Sequence, residues 1–122
     1  MFGPQRLEAD LRELGYDVEV MTAQGVSFAV IKGYEVLTGR FEGRVIDLGL
    51  HSPANYPHAV GSSIHVKADP QRLDKSDTTP GVRNILDSAL GPDWRYWSFN
   101  FGGGPHTTAD LLAKINTVFH GI

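Results

Sequence analysis

The sequence of 122 residues contains no cysteine. A chain without cysteine forms no disulfide, binds no metal through thiolate sulfur and offers no thiol nucleophile. Functions that depend on a thiolate, including covalent transfer through a thioester, are therefore excluded for this chain as it stands.

The sequence also lacks clusters of positive charge and long apolar runs. No lysine or arginine is adjacent to another, and the formal net charge is −3, so no basic patch is visible that would neutralise nucleic-acid phosphates. No apolar run approaches the roughly 20 residues of a membrane-spanning helix, and the N-terminus lacks the apolar core of a signal peptide. We therefore expect a cytoplasmic protein that binds neither nucleic acid nor membrane.

What is present is the composition of an ordinary globular domain, with 41% hydrophobic and 20% charged residues. A chain of this length matches one domain and can bury roughly two-thirds of the surface that its unfolded form exposes. We expect residues 1–122 to form a single domain.

Apolar residues at helical spacing predict a helix near each end of the chain. In "PQRLEADLRELG", Leu7, Leu11 and Leu14 follow an i, i+4, i+7 pattern that places one apolar stripe on a helix. A second helix is predicted in "HTTADLLAKINTVFHGI", with Thr107 or Thr108 as its N-cap. The predicted buried face of this helix comprises Leu111, Leu112, Ile115, Val118 and Phe119.

Four segments between the helices predict strands. They are "YDVEVMT", "VSFAVIKGYEVL", "RVIDLGLH" and "SIHVKA", which either alternate apolar and polar residues or form short apolar runs. Their short connections suit antiparallel pairing, whereas the later "VRNILDSAL" predicts a short helix or a turn. We therefore predict an α+β domain with a four-stranded antiparallel meander and helices on one face of the sheet.

Three histidines, His51, His58 and His65, are spaced seven residues apart in "HSPANYPHAVGSSIHVKADP". Zinc needs three or four convergent ligands, and no helical i, i+4 pair fixes such a geometry here. We predict no metal site and no cofactor, while histidine remains a natural general base near neutral pH.

An aromatic cluster, "WRYWSFNF", places Trp94, Trp97, Phe99 and Phe101 within eight residues. Trp97, Phe99 and Phe101 alternate, which suits side chains that fill the core from one face of an extended segment. An exposed Trp94 or Tyr96 would instead indicate a partner-binding surface.

The order of the predicted elements, together with Pro53, Tyr56 and Pro57 before the fourth strand, resembles the ubiquitin-conjugating enzyme superfamily and most closely its prokaryotic branch. Members of this superfamily run from an N-terminal helix into a four-stranded meander, whose third strand exits into a Pro-x-x-Tyr-Pro segment. Trp94 and Trp97, followed by a proline-containing turn and a helix, are similar to a later signature. The resemblance spans nearly the whole chain and implies a UBC-like fold in which these five residues have structural roles.

One departure from the superfamily changes the expected function. Conjugating enzymes carry the modifier as a thioester on a cysteine after the fourth strand, and the corresponding residues, 69–90, contain none. The His-Pro-Asn tripeptide of the superfamily is also missing, and "ADP" at residues 68–70 is the nearest match. The resemblance therefore implies a protein with no catalytic residue that binds a ubiquitin-like protein or another protein of a conjugation pathway.

We predict that the binding surface includes Tyr56, His58, His65, Trp94 and Tyr96. Two alternatives stay open. One is a diverged enzyme that uses histidine or hydroxyl chemistry in the loops 51–65 and 76–84, which would need a histidine within hydrogen-bond reach of a hydroxyl in a pocket. The other is a structural subunit of a larger complex, docked through the last helix and the terminal "FHGI". The oligomeric state is left open by the sequence.

Overall fold

The computed structural model describes residues 3–39, 42–54, 56, 64–68, 85–97 and 107–120. Within these residues the order of elements is α1 (Pro4–Glu13), β1 (Asp17–Ala23), β2 (Val26–Glu35), β3 (Val45–His51), β4 (Ile64–Lys67), β5 (Ile85–Ser88), β6 (Gly91–Trp97) and α2 (Thr108–His120). The predicted α+β class is confirmed.

The six strands form one antiparallel sheet in the order β1-β2-β3-β4-β6-β5. The first four strands follow chain order, as their short connections favour. The sheet continues beyond β4, because β6 pairs with β4 and β5 forms the far edge. The sheet is therefore larger than the four strands predicted from the sequence.

The prediction of a helix or turn for "VRNILDSAL" is wrong at Ile85–Ser88, which forms β5. Ile85 is 3% exposed and belongs to the main core, opposite Trp97 of β6. Pairing with a neighbouring strand and burial of Ile85 override a weak local pattern, as is common for short strands.

The main core lies between the sheet and the two helices. Both helices bury their apolar stripes in it, and the buried apolar residues of the helices are Leu7, Leu11, Leu111, Ile115 and Phe119. Trp97 is also fully buried here, as predicted, whereas Phe99 and Phe101 lie outside the described residues. Leu14 was predicted to share the stripe of α1, but it is 50% exposed because the helix ends at Glu13.

A second apolar cluster lies on the opposite face of the sheet. Phe28 and Val30 alternate along β2 with residues of the main core, so their side chains point away from the helices. They pack with Trp94 of β6, and half-buried apolar residues surround these three: Met21, Ala23, Val26 and Leu90. We call this side of the sheet, which also carries His65, the outer face.

Helix α2 begins where the sequence predicts. Thr107 Oγ1 accepts a hydrogen bond from the Asp110 N–H at 3.0 Å, so Thr107 is the N-cap and satisfies one of the free backbone donors of the first turn. None of the helices in the described part of the chain is long and apolar enough to cross a membrane.

The other end of α2 packs against the segment that follows β2. Thr38 Oγ1 and His120 Nδ1 are 2.8 Å apart. Gly39, with a positive φ of 78°, lies against the backbone at the end of α2. A Cβ atom on Gly39 would lie 1.8 Å from the Phe119 carbonyl oxygen. Because Phe119 is fully buried in the main core, its side chain is not available as a docking surface for a larger complex.

Candidate functional site

Tyr56 anchors the segment that follows β3. Its N–H donates to the Pro53 carbonyl at 3.1 Å, and its own carbonyl accepts a hydrogen bond from the Gly3 N–H at 3.0 Å. The side chain is 1% exposed. Tyr56 therefore ties this segment to the start of α1, while Pro57 lies outside the described residues.

The Tyr56 hydroxyl forms the buried end of a series of hydrogen bonds that reaches the surface at Arg6. Thr108 Oγ1 donates to Asp10 Oδ2 at 2.7 Å, so the Tyr56 hydroxyl, 2.5 Å from Thr108 Oγ1, donates to Thr108. Arg6 Nε donates to both carboxylate oxygens of Asp10, at 3.0 and 2.9 Å. The series joins the segment after β3 to both helices, which is the arrangement of a structural anchor.

Burial is the main cause that raises the pKa of Tyr56. The carboxylate of Asp10 raises it further, against the opposing effects of the hydrogen bond with Thr108 and the charge of Arg6. The phenol is therefore neutral at physiological pH and acts as a hydrogen-bond donor. Asp10 falls within the first predicted helix and Thr108 at the start of the second, and no local signal indicates that they meet Tyr56.

His65 lies on the outer face of β4, packed between two aromatic rings. It is 6% exposed, and its ring meets Phe28 and Tyr96 edge-on, with centroid distances of 4.8 and 5.4 Å. Burial lowers the pKa of His65 to about 4, and the nearby His51 adds a smaller effect. The imidazole is therefore neutral at neutral pH.

Ser88 reaches His65 across an intervening strand. Although β6 lies between β4 and β5, His65 Nδ1 and Ser88 Oγ are 2.6 Å apart. Ser88 Oγ also accepts a hydrogen bond from the Leu90 N–H at 3.1 Å, so its own proton can be donated to the neutral Nδ1. This pair provides a contact between a histidine and a hydroxyl, as the enzyme alternative requires, but the hydroxyl lies in β5 and not in the loops 51–65 and 76–84. A base with a pKa of about 4 is also weak at neutral pH.

The sequence did not identify Ser88 as a partner of His65. A helix or turn at Ile85–Ser88 would not have placed the hydroxyl beside β4. The signal that could have identified it is the pairing of β5 with β6, which is a long-range property of the sheet.

Trp94 is buried in the outer-face cluster, with 5% of its surface exposed. Gly49 on β3 lies beside this cluster and makes room for Leu90: a Cβ atom on Gly49 would lie 2.7 Å from Leu90 Cδ1, whereas its distance of 3.5 Å from Trp94 Cζ3 would be an ordinary contact. Trp94 therefore fills the cluster and supports the surface above it, instead of projecting from that surface.

The five predicted binding residues have different positions. Tyr56, His65 and Trp94 are buried, Tyr96 is half-buried, and His58 lies outside the described residues. His65, Trp94 and Tyr96 lie together on the outer face, whereas Tyr56 belongs to the main core. Tyr96 is therefore the most exposed of the four that the structure describes. A partner would reach the three buried side chains only through the residues that cover them.

The three histidines singled out in the sequence do not form a described metal centre. His51 and His65 both pack near Phe28, with ring centroids 6.0 and 4.8 Å from it, and the position of His58 is not among those described. Across the described ranges, no group of three His, Asp or Glu side chains is placed to hold a metal ion.

A cavity of about 550 Å³ opens where β4 ends. Four charged side chains line it: Asp47, Lys67, Asp93 and Arg95. Asp47 is already engaged, since it pairs with Lys32 at 3.2 Å and accepts the Gly33 N–H. The cavity lining also includes Ala68, the last described residue before 69–84.

Comparison with known proteins gives the family of the chain. The family model described as prokaryotic E2 family E matches residues 4–118, and E2 denotes a ubiquitin-conjugating enzyme. Neither the curated proteins nor the solved structures gave a significant match. Since the matched residues cover nearly the whole sequence, the chain belongs to prokaryotic E2 family E, as a member without cysteine.

Proposed function

We propose that this chain binds a ubiquitin-like protein, or another protein of a conjugation pathway, without forming a covalent bond to it. The observation that carries the proposal is membership of a conjugating-enzyme family combined with the absence of cysteine. Transfer through a thioester needs a thiolate to accept the modifier. Recognition of pathway proteins is the part of the family's activity that needs no thiol.

The order of the elements supports this proposal. Helix α1 precedes β1 to β4, which are neighbours in chain order, and the turn at Pro53 and Tyr56 follows β3. We interpret this as a UBC-like arrangement. The β5–β6 hairpin extends it by two strands and contributes Trp94, Tyr96 and Ser88 to the site.

We place the binding surface on the outer face, around Tyr96. Its ring packs edge-on against His65, and Trp94 and Phe28 fill the apolar cluster beside it. A partly exposed tyrosine on a rigid sheet offers a large contact area with a polar end, which is typical of interface anchors. In this proposal His65 and Trp94 support the surface from within the outer face. Tyr56 anchors the segment after β3 in the main core, and His58, which lies outside the described residues, stays a predicted contact.

Isothermal titration calorimetry with the ubiquitin-like proteins encoded beside this gene tests the proposal. We expect saturable binding that a Tyr96→Ser variant weakens about tenfold or more, the effect of losing an interface anchor. Tyr16→Ser is the matched control, since Tyr16 is also half-buried but packs against the main core. Absence of binding to every such protein, or equal loss in both folded variants, would count against the proposal.

The His65–Ser88 pair favours a second candidate, a diverged enzyme that forms an ester. Ser88 Oγ would attack the carbonyl carbon of a modifier thioester on an activating enzyme, the C–S bond would break with departure of the thiolate, and His65 Nδ1 would take the serine proton. The low pKa of His65 makes it a weak base, which ranks this candidate second. An adduct that resists thiols, is cleaved by alkali and is lost in Ser88→Ala would establish it.

A further inference from the structure

Strand β1 forms an edge of the sheet. Among the described strands its neighbour is β2 alone, so its other side presents backbone N–H and C=O groups that can pair with a further strand. The seven residues of β1, "DVEVMTA", include no proline and no lysine, and their register with β2 contains no bulge. Proline, lysine and bulges are the features that most often block pairing at a sheet edge, and β1 has none of them.

The turn that follows β1 determines which backbone groups point outward. Ala23 and Val26 flank a two-residue turn in which Gln24 and Gly25 have φ values of 52° and 75°, as in a type I′ hairpin. The residues that flank such a turn form a hydrogen-bonded pair, and bonded residues alternate along the strand. The groups facing β2 therefore belong to Ala23, Met21, Glu19 and Asp17, and those facing outward belong to Thr22, Val20 and Val18.

A contact from α1 agrees with this assignment. The guanidinium of Arg12 donates to the carbonyl oxygen of Val18, as expected for a carbonyl that faces away from β2. Arg12 covers this end of the edge, whereas Val20 is 40% exposed at its centre.

The outward set is symmetric about Val20. In an antiparallel pair of two β1 strands with Val20 opposite Val20, these two residues exchange both of their hydrogen bonds. Val18 of each strand then lies opposite Thr22 of the other, so every outward group meets its complement. The Val18 oxygen has two lone pairs and can accept bonds from both Arg12 and the second strand.

The charges of β1 also suit this register. Glu19 lies opposite Met21 of the second copy, and Asp17 lies opposite Ala23, so no two acidic residues face each other directly. A parallel pairing in register would place Glu19 beside Glu19, which is unfavourable. The exposed Val20 side chains would pack against each other across the two-fold axis.

We propose that β1 pairs with β1 of a second copy of this chain, antiparallel and centred on Val20. The pairing joins two six-stranded sheets into one continuous sheet, related by a two-fold axis through the Val20 pair. It does not depend on the proposed binding function and leaves the outer face around Tyr96 on a different strand from the interface.

The absence of cysteine allows a direct test by disulfide cross-linking. In the proposed register the two residues of a Val20→Cys variant have Cα atoms about 5.5 Å apart, which is within the range of a disulfide. Thr22→Cys is the matched control, because Thr22 is also exposed on β1 and has the same outward orientation. Two Thr22 residues are offset by four positions, about 14 Å along the strand, which is too far for a bond.

We expect mild oxidation to convert Val20→Cys to a covalent dimer and to leave Thr22→Cys monomeric. Sedimentation of the unmodified chain should show a dimer whose fraction rises with concentration, and Val20→Lys, which places a charge on the edge, should abolish it. Failure of Val20→Cys to cross-link, equal cross-linking of both cysteine variants, or a monomer at every concentration would overturn the proposal.

Discussion

At the scale of single residues, His65 departs most from the ordinary behaviour of its type. Histidine is usually partly solvated and titrates near neutral pH, whereas His65 is buried between Phe28 and Tyr96 with its pKa lowered to about 4. Its Nδ1 is satisfied by the Ser88 hydroxyl. The folded state therefore stabilises the neutral imidazole, and protonation of this ring opposes folding.

Acidification should destabilise the fold through His65. Between the usual histidine pKa of 6.5 and about 4, the unfolded chain binds a proton that the folded chain does not, so this contribution is complete above pH 6.5 and is lost as the pH falls through that window. The shift corresponds to roughly 3 kcal/mol of unfolding free energy. Urea titrations at pH 7 and pH 4.5 measure the loss.

His65→Gln is the test variant for this prediction, and His120→Gln is its matched control. The loss between pH 7 and pH 4.5 should be smaller in His65→Gln, which keeps a polar side chain but cannot titrate. His120 is exposed at the end of α2, so His120→Gln should lose stability as the unmodified chain does. The same pH dependence in all three proteins would show that His65 does not carry the effect.

The hydrogen bonds that join Tyr56, Thr108 and Asp10 give a second prediction for single residues. Tyr56→Phe removes one donor and should lower the unfolding free energy by about 1 kcal/mol. Thr108→Val should cost more, because it leaves the buried Tyr56 hydroxyl without its acceptor and removes a donor to Asp10. A double-mutant cycle followed by urea denaturation should show coupling between the two sites. Strictly additive losses of unfolding free energy would show that Tyr56 and Thr108 do not interact.

At the scale of elements, local patterns predict both helices and the first four strands but miss the β5–β6 hairpin. Helical periodicity and alternation extend over seven or more residues in α1, α2 and β1, which is enough to recognise them. Strand β5 is as short as β4, but its sequence "ILDS" places two apolar residues side by side, whereas "IHVK" in β4 alternates. Strand β5 is therefore recognisable only from its pairing with β6. Ser88 was missed for the same reason, since its contact with His65 depends on that pairing.

The docking of α2 on the segment after β2 can be tested with two glycines. Gly39 and Gly15 both have positive φ, 78° and 97°, but a Cβ atom on Gly15 would meet nothing within 4 Å. Gly15→Ala should therefore cost only the backbone strain, about 1–2 kcal/mol. Gly39→Ala should cost clearly more, because the backbone of Phe119 must also move. Equal melting-temperature shifts in the two variants would contradict the close approach.

At the scale of the whole molecule, the sequence predicts the α+β class and the family, and the family match over residues 4–118 confirms the recognition. It also names three residues, His65, Trp94 and Tyr96, that the fold brings to one face. It does not show that Trp94 and His65 are buried, because their neighbours come from elsewhere in the chain: Phe28 from β2, Gly49 from β3 and Leu90 from the turn between β5 and β6. An aromatic residue in a motif is compatible with either side of a sheet until its neighbours are known.

For the whole molecule, the absence of cysteine determines which part of the family's chemistry is open to it. A family of conjugating enzymes is represented here by a chain that cannot form a thioester, while its sheet is extended by a hairpin that carries an aromatic surface. Family membership and the absence of cysteine are the basis on which we propose recognition of pathway proteins without covalent transfer.

Intact-mass spectrometry tests this central claim most directly. The chain is incubated with a ubiquitin-like protein that it binds, the matching activating enzyme and ATP, and charging of the activating enzyme serves as the positive control. We predict that the mass of the chain is unchanged while the activating enzyme carries its thioester. A species heavier by one ubiquitin-like protein less one water would contradict the account.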